Sequence, residues 1–339
     1  MLLDAVILLF GLLLILFAAE FFTNGIEVIG HKYELSQAVV GSVLAAVGTA
    51  LPETILPVVA ILFSGNGTGH EIGIGAILGA PFMLSTLAML LIGTTAFILY
   101  LKKKRGFVVN IEIESATRDL TFFIILYSSA VFIPAIFPNN STSFLAVLLI
   151  AGYAYYIYRT TKGTSDQLEH YQGLHLLHLQ NKIFDTEKND PHFLHMITQV
   201  ILSLIVMVIG AHVFVNGIKS LSLSLGFNPL LFSLIIAPIA TELPEKFNSI
   251  TWTLKGKDTL ALGNITGAMV FQSTFPVSIG LIYTEWNLTG MSIFSAVISL
   301  LSAIFLLCEL KIRKKITPLS LMSCGSLYLV YIIVLIIKN

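Results

Sequence analysis

The chain has 339 residues, of which 56% are hydrophobic and only 11% are charged, with no net charge and a mean hydropathy of +0.88. Soluble domains carry about a quarter charged residues. The composition therefore excludes a water-soluble globule and predicts an all-α polytopic membrane protein. A chain without net positive charge also offers no basic surface for nucleic acid, so no nucleic-acid partner is expected, and the lipid bilayer is the first expected partner.

Apolar segments long enough to cross a bilayer, which takes about 20 helical residues, are the main feature of the chain. The sequence predicts ten, at about 4–29, 36–63, 71–100, 119–137, 142–159, 196–224, 229–254, 259–283, 289–310 and 316–337. The first carries Asp4 where a signal peptide would be basic and is too long for a signal-peptide core, so it is predicted to be a retained transmembrane helix.

A polar stretch at 160–195 divides the ten segments into five and five. This predicts a first five-helix unit at 1–159, a linker at 160–195 and a second five-helix unit at 196–339. The linker holds five of the eight histidines, namely His170, His175, His178, His192 and His195. Their spacing matches no tight metal site, which favours a solvated linker over a regulatory metal site.

Basic residues set the expected orientation. If the segments alternate, sixteen lysines and arginines fall on one side and only Lys219 and Lys338 on the other. Because basic loops stay in the cytoplasm, both termini are predicted to face outward and the 160–195 linker to be cytoplasmic, in what is most simply the plasma membrane.

Two copies of a proline motif organise the chain: Thr49-Ala50-Leu51-Pro52-Glu53 and Thr241-Glu242-Leu243-Pro244-Glu245. A carboxylate inside a membrane-length segment is costly and marks an ion or substrate path. The proline also leaves the carbonyl four residues earlier without its helical donor. Carbonyl, hydroxyl and carboxylate oxygens together suit a hard cation such as Na⁺ or Ca²⁺. A neutralised proline kink is the alternative, and the second copy favours the ion site.

Three landmarks recur in the same order in both halves. An offset of 192 relates Pro52 to Pro244 and also relates the Asn-Gly pair at 24–25 to that at 216–217. An offset of 188 relates the glycine pair at 75 and 79 to the pair at 263 and 267. Because each unit has five segments, the second enters the membrane upside down, so we expect two inverted five-helix repeats with a substrate site near the midplane. Small residues four apart let helices approach closely, so the glycines are expected to press each third-type helix against a proline-kinked one.

The two inverted copies of a G-T-x-L-P-E-like motif followed by a G-N-x-x-G-like motif resemble the α-repeats of the sodium/calcium exchanger family, within the calcium/cation antiporter superfamily. The resemblance implies a divergent prokaryotic-type member with ten helices, in which one glutamate per repeat binds Ca²⁺ and shares its site alternately with Na⁺. By position these are Glu53 and Glu245, with Thr49 and Thr241 adding hydroxyl or carbonyl oxygen. It implies inorganic cations as partners and ligands, and no cofactor.

Several polar positions of the family pattern are absent. Ala50 and Glu242 stand where a small polar residue is usual, the first glycine motif carries no polar side chain, and the second keeps Asn264. Nearby polar residues that could replace the lost ligands are Gln272, Ser85, Thr86 and Asn248. Na⁺/Ca²⁺ exchange is the leading interpretation, and a proton-coupled Ca²⁺ or cation exchanger is the alternative.

Further charges lie inside the predicted segments. Lys246 follows Glu245 and lies four residues after Glu242, the spacing of a helical ion pair. Its ammonium could replace a bound cation, or it could pair with Glu242 or snorkel and leave the site alone. Glu20 on the first segment aligns with His212 on the sixth, and these two could relay protons.

Two other classes of function compete with transport. A membrane-embedded enzyme would need a nucleophile with a base or a metal motif, but there is no H-E-x-x-H and only His212 is predicted within the membrane. A non-transporting homologue would explain the lost polar positions, but it would not explain why both motif glutamates and threonines are present. The chain is therefore predicted to be a secondary transporter and not an enzyme.

Overall fold

The computed structural model describes residues 2–32, 46–65, 67–137, 142–161, 174–175, 193–288 and 290–338, without the side chains of residues 27, 30, 31, 46–49, 161 and 243–245. The helices of this part are, in chain order, α1 (Leu2–Lys32), α2 (Ala46–Phe63), α3 (Thr68–Met83), α4 (Met89–Leu101), α5 (Ile113–Ile136), α6 (Thr142–Thr161), α7 (Phe193–Ser224), α8 (Pro229–Leu254), α9 (Asp258–Gln272), α10 (Phe275–Tyr283), α11 (Gly290–Arg313) and α12 (Pro318–Lys338).

Seven helical stretches of the described residues are long and apolar enough to cross a membrane: Leu2–Ile26, Thr68–Leu101, Ile113–Ile136, Phe193–Ser224, Asp258–Tyr283, Gly290–Arg313 and Pro318–Lys338. Large apolar side chains such as Leu13, Ile125 and Ile336 lie on the outer surface, as expected where lipid replaces water. The chain is therefore an all-helical polytopic membrane protein, as its composition predicts. Residues 36–45 of the predicted second segment lie outside the described part.

Helices α1 and α7 form a long antiparallel pair. Near the start of α1, Gly11 lies against the backbone of Phe214. Near the end of α1, the side-chain amide of Gln199 donates to Asn24 Oδ1 at 3.0 Å. The absence of a side chain at Gly11 permits the close approach, and the Asn24 contact fixes how the two helices are aligned along their length.

Helix α3 lies between the two proline-motif helices. Gly69 and Gly73 lie against α2, whereas Gly75 and Gly79 lie against α8, where a Cβ on Gly79 would collide with the carbonyl oxygen of Leu234. The predicted pair Gly75 and Gly79 thus contacts the proline helix of the other half of the chain, and α2 is contacted by Gly69 and Gly73 instead. Packing of α3 therefore joins both motif helices into one unit. For the predicted pair at 263 and 267 the expected contact with a proline helix is wrong, because a Cβ on Gly263 would meet nothing within 4 Å and one on Gly267 only the Tyr156 hydroxyl of α6.

Both third-type helices lose regular α-helical geometry at matching points. Residues Leu84–Ala88, between α3 and α4, are π-helical, and α9 and α10 are separated at Ser273–Thr274. The predicted segment 71–100 is therefore one rod with a π insertion, and the predicted segment 259–283 is broken. Local π geometry and helix breaks are frequent at functional sites because they release backbone carbonyls from the regular ladder.

The same side-chain hydrogen bonds occur at both irregularities. Ser85 Oγ donates to the carbonyl of Phe82 at 3.2 Å, and Ser273 Oγ donates to the carbonyl of Val270 at 2.9 Å. The threonine that follows each serine donates to the same carbonyl. The acceptor and donor positions differ by 188 residues (270 − 82 and 273 − 85), the offset of the glycine pairs.

Part of the 160–195 linker packs on the helix ends. Leu174 is buried with Val28 and Met196. The backbone N–H of His175 donates to Asn24 Oδ1 at 2.9 Å. At this point the linker is held against the α1–α7 pair, which differs from the expectation of a fully solvated connection.

Replacing Gly79 with alanine should destabilise the protein, because the new methyl would force α3 away from the α8 backbone. Overpacking of this kind costs about 1–3 kcal/mol. The melting temperature of the detergent-solubilised protein should fall, whereas Gly106→Ala should leave it unchanged, because a Cβ there meets nothing within 4 Å. An unaltered melting temperature for Gly79→Ala would show that this approach is not tight.

Candidate functional site

On each motif helix a described threonine next to a motif glutamate donates its hydroxyl to a backbone carbonyl of the same helix. Thr54 Oγ1 donates to the carbonyl of Ala50 at 2.8 Å, and Thr241 Oγ1 donates to the carbonyl of Ala237 at 3.0 Å. In each case the hydroxyl hydrogen is used within the helix. The hydroxyl lone pairs can then face a cation, which is the acceptor geometry that a hard ion needs.

Charged side chains are buried where the motif helices meet the rest of the bundle. Glu53 is 7% exposed, and Glu242 and Lys246 are each 2% exposed. Thr241 is buried beside them. Removing a carboxylate or an ammonium from water is expensive unless opposite charges or ion ligands compensate. The structure thus confines two acids and one base to the interior of an apolar bundle.

Thr49 and Glu245 belong to the predicted site, but their side chains lie outside the described part. Their backbones lie within α2 and α8. Thr49 is four residues before Glu53, and Glu245 is three residues after Glu242, so each shares a helix face with a buried acid.

Gln272 lies at the level of the motif in α8. Asn264 Nδ2 donates to Ser249 Oγ at 3.2 Å, which aligns the antiparallel helices α8 and α9. Glu242 lies seven residues before Ser249 in α8, and Gln272 lies eight residues after Asn264 in α9. Because the two helices run in opposite directions, Glu242 and Gln272 lie at the same level of the bundle. Gln272 is buried, and its Oε1 accepts no hydrogen bond from the described residues. Asn264 itself lies about 10 Å from Glu242 along the helix axis.

Glu20 and His212 lie apart. The Glu20 side chain is 74% exposed, and its carboxylate is 3.6 Å from Nε2 of His175, at the docked part of the linker. His212 is exposed on α7. The contacts of Gly11 with Phe214 and of Asn24 with Gln199 place Glu20 and His212 at levels about 10 Å apart. The structure brings Glu20 to His175 instead of His212.

Asp119 is a buried acid that the sequence analysis did not single out. Its Oδ2 accepts from Thr266 Oγ1 at 2.8 Å, and its Oδ1 accepts from the Tyr156 hydroxyl at 3.1 Å. Nε and Nη2 of Arg118 donate to the same Oδ1 at 3.2 and 3.1 Å. The carboxylate therefore joins α5, α6 and α9 through charge-assisted hydrogen bonds.

A second buried acid holds the start of α9. The Arg105 guanidinium forms a two-pronged ion pair with Asp258, with Nη1 at 3.0 Å from Oδ1. The N–H of Asn110 donates to Asp258 Oδ2 at 2.8 Å, and the N–H of Glu112 donates to Thr259 Oγ1 at 3.1 Å. The loop after α4 thus anchors the N-terminal end of α9.

Both anchors had a weak signal in the sequence. Asp119 lies at the edge of a predicted segment beside Arg118, and Asp258 immediately precedes the predicted segment 259–283, at a helix start where acids are ordinary. An acid next to an arginine at a segment boundary is a normal interfacial pattern. Thr266, which bonds to Asp119, and Arg105, which pairs with Asp258, lie about 150 positions away in the chain from these acids, which no local pattern reveals.

The described residues hold no group of three or more His, Cys, Asp or Glu side chains placed to bind a metal ion. Three of the linker histidines, His170, His178 and His192, lie outside the described part. A cation in the motif layer would therefore depend on a mixed set of carboxylate, hydroxyl, amide and backbone oxygens, which is a set that suits Na⁺ and Ca²⁺ rather than Zn²⁺.

A helical bundle of membrane length with acids buried in two proline-containing helices is the architecture of a secondary cation transporter, not of an enzyme. The chain belongs to the sodium/calcium exchanger protein family, whose model matches residues 3–162 and 195–338. This confirms the family that the two proline motifs predict.

Similar proteins share both the length and the fold of the chain. A membrane protein of Methanocaldococcus jannaschii is 23% identical over 307 residues, covering 88% of this chain and 87% of that protein. The crystal structure of an H⁺/Ca²⁺ exchanger, 19% identical, superposes with a TM-score of 0.73 over 98% of this chain and 82% of that chain. A sodium-calcium exchanger structure soaked with Na⁺ and Sr²⁺, 20% identical, covers 98% of both chains with a TM-score of 0.57. The fold is therefore that of the Ca²⁺ exchangers.

Replacing Thr266 with valine should destabilise the protein, because Asp119 would lose a buried hydrogen bond that valine cannot supply. A hydrogen bond to a charged group is worth about 1.5–3 kcal/mol. Thr251→Val is the matched control, because the Thr251 hydroxyl is exposed and, among the described residues, bonds only to the carbonyl of Phe247 in its own helix. Equal melting temperatures for the two variants would contradict the anchoring role of Asp119.

Proposed function

We propose that the protein is a secondary-active cation antiporter that exchanges Ca²⁺, most simply for Na⁺, at a midplane site built on Glu53 and Glu245. The observation that carries the proposal is that Glu53 and Glu242 are both buried in motif helices held together by α3. Thr49 and Thr241 would add oxygens from the same helices.

The chemistry of such a site follows from its ligands. Ca²⁺ takes six to eight oxygens and is held best when both carboxylates are ionised. Na⁺ or H⁺ would compete with Ca²⁺ for the same oxygens and would neutralise the acids when Ca²⁺ is absent. Because an empty, doubly ionised site would be costly in an apolar bundle, the loaded forms are the ones that change the side to which the site opens. That competition couples the two fluxes.

The two-repeat architecture is part of the proposal. Its support is the Ser-Thr pair at each helix irregularity, bonded in each case to the carbonyl three residues before the serine. We infer ten crossings as two inverted units, 1–159 and 196–339, joined by a cytoplasmic linker at 160–195. Both termini then face outward, and the cell membrane is the expected location. Residues of the two units meet at the α3–α8 contact, where alternating access would expose the site to one side at a time.

The coupling ion could instead be H⁺. The first repeat has Ala50 and Ala80 at positions where polar ligands would serve Na⁺. Gln272 is buried in the same helical layer as Glu242, but its neutral amide offers Na⁺ only one oxygen. A proton needs no further ligands, because a carboxylate binds it alone. Exchange of Ca²⁺ for H⁺ is therefore the second candidate.

Lys246 is the further charged group of the site. It is buried in α8, one helical turn from Glu242, so its amino group lies near the acids. An ammonium there would neutralise one carboxylate and stand in for one transported monovalent ion.

Glu53→Gln should reduce exchange by about tenfold or more. Loss of one charged ligand exceeds the 1.4 kcal/mol that makes a factor of ten, so uptake should fall below about a tenth of wild type. The measurement is ⁴⁵Ca²⁺ uptake into proteoliposomes under an outward Na⁺ gradient and, separately, under an outward H⁺ gradient.

Glu112→Gln is the matched control, because Glu112 is exposed at the start of α5. Uptake driven by Na⁺ and lost only in Glu53→Gln supports Na⁺/Ca²⁺ exchange. Uptake driven only by H⁺ assigns a proton-coupled exchanger. Retained uptake in Glu53→Gln would contradict the site, and no uptake in the wild type under either gradient would favour another cation or a homologue that does not transport.

Lys246→Gln should change the ion dependence more than the rate. If the ammonium replaces a monovalent ion, the variant should require an additional Na⁺ or H⁺ for each Ca²⁺, seen as a steeper dependence of uptake on that ion. Lys255→Gln, at the exposed end of α8, should match wild type. An unchanged ion dependence with lower protein stability would assign Lys246 a purely structural ion pair.

A further inference from the structure

A basic cavity lies between α5, α6 and α11, away from the motif helices. Its volume is about 630 Å³, and its charged lining consists of Arg118, Arg159, Lys311 and Lys314 against a single acid, Glu114. Four cations around one opening repel each other, and an anion in the cavity would relieve that repulsion. The lining also includes Thr117, whose hydroxyl can donate to the same anion.

The position of the cavity in the bundle indicates what kind of anion it suits. Arg159 lies two residues before the end of α6, and Lys311 lies two residues before the end of α11. These charges therefore lie at the membrane boundary, on the side that the distribution of basic residues makes cytoplasmic. Below them the surface is apolar, with Ile125 and Tyr155 more than half exposed. A charged opening directly above an apolar, lipid-facing surface matches a phosphate group carried on acyl chains.

Part of the Arg118 guanidinium is available to bind an anion in the cavity. Its Nε and Nη2 are engaged with Asp119, and Nη2 also donates to Ser115 Oγ at 2.9 Å. Its Nη1 makes no hydrogen bond to the residues that the structure describes. The guanidinium also lies 5.9 Å from the centre of the Tyr156 ring, which fixes its plane. A planar guanidinium held along one edge presents the other to a phosphate oxygen.

We propose that this cavity binds the phosphate headgroup of an anionic phospholipid of the cytoplasmic leaflet, and that Arg118 connects the bound lipid to the transport helices. Arg118 is shared between the cavity and Asp119, and Asp119 holds Thr266 of α9. Thr266 lies six residues before Gln272, in the helix that reaches the motif layer. A headgroup that accepts hydrogen bonds from Arg118 alters the charge around Asp119 and therefore the anchoring of α9. The binding site itself does not rest on the proposed exchange activity.

Lipid binding can be measured without transport. The purified full-length protein is placed in nanodiscs of phosphatidylcholine that also contain phosphatidylglycerol. The molecules of each lipid that stay bound to the protein are then counted by native mass spectrometry. The double variant Arg159→Gln/Lys314→Gln should bind about tenfold or more weakly, since each basic residue near an anionic headgroup contributes about a factor of five. Lys102→Gln/Lys104→Gln removes the same charge outside the cavity and should bind as wild type does.

Each outcome decides the proposal. Preferential retention of phosphatidylglycerol that is lost only in the cavity variant supports it. Equal retention of phosphatidylcholine, or equal loss in both double variants, overturns it, because binding would then be unspecific. Displacement of the lipid by inorganic phosphate at millimolar concentration would assign the cavity to a soluble phosphate and overturn the lipid assignment. The melting temperature of both double variants shows whether loss of binding reflects loss of fold.

Discussion

The cost of placing charge inside an apolar bundle is the constraint from which the rest of the architecture follows. Glu53, Glu242 and Lys246 are almost wholly removed from the surface, although each would be far more stable in water. Such groups persist only if the surrounding helices are held in place and compensating charge is at hand. At the proposed site, a transported cation would supply compensating charge that can leave, which would link the stability of the site to its function.

The helices that hold these charges are positioned by small residues and by buried acids of a different kind. Gly79 lets α3 reach the backbone of α8, and the irregular turns that follow are stabilised by serine and threonine hydroxyls. Asp119 and Asp258 then fix α9 from the side and from its start. The acids in these anchors have several partners each, and their role is rigidity. The motif acids Glu53 and Glu242 are buried in α2 and α8, and in the proposed exchanger they would exchange partners as ions bind and leave.

The basic cavity adds a connection between the bilayer and this framework. Arg118 belongs to both, because one edge of its guanidinium supports Asp119 and the other faces the cavity. Charge that enters the cavity therefore acts on the same carboxylate that anchors α9. A membrane transporter is embedded in anionic lipid on its cytoplasmic side, so a contact of this kind would make its rate depend on membrane composition.

The sequence by itself determined the class of protein, the family and the central pair of motifs. Hydropathy averaged over about 20 residues identifies membrane-spanning segments. A carboxylate beside a proline is rare within such a segment, so its occurrence in two segments marks the motif. Only the tertiary structure decided which helix each glycine pair meets, that Glu20 lies near His175 and not His212, and that Asp119 and Asp258 anchor α9. The physical reason is the distance along the chain over which each property acts. Hydropathy and helix breaks are local properties of the chain, whereas packing and buried ion pairs join residues some 150 positions apart.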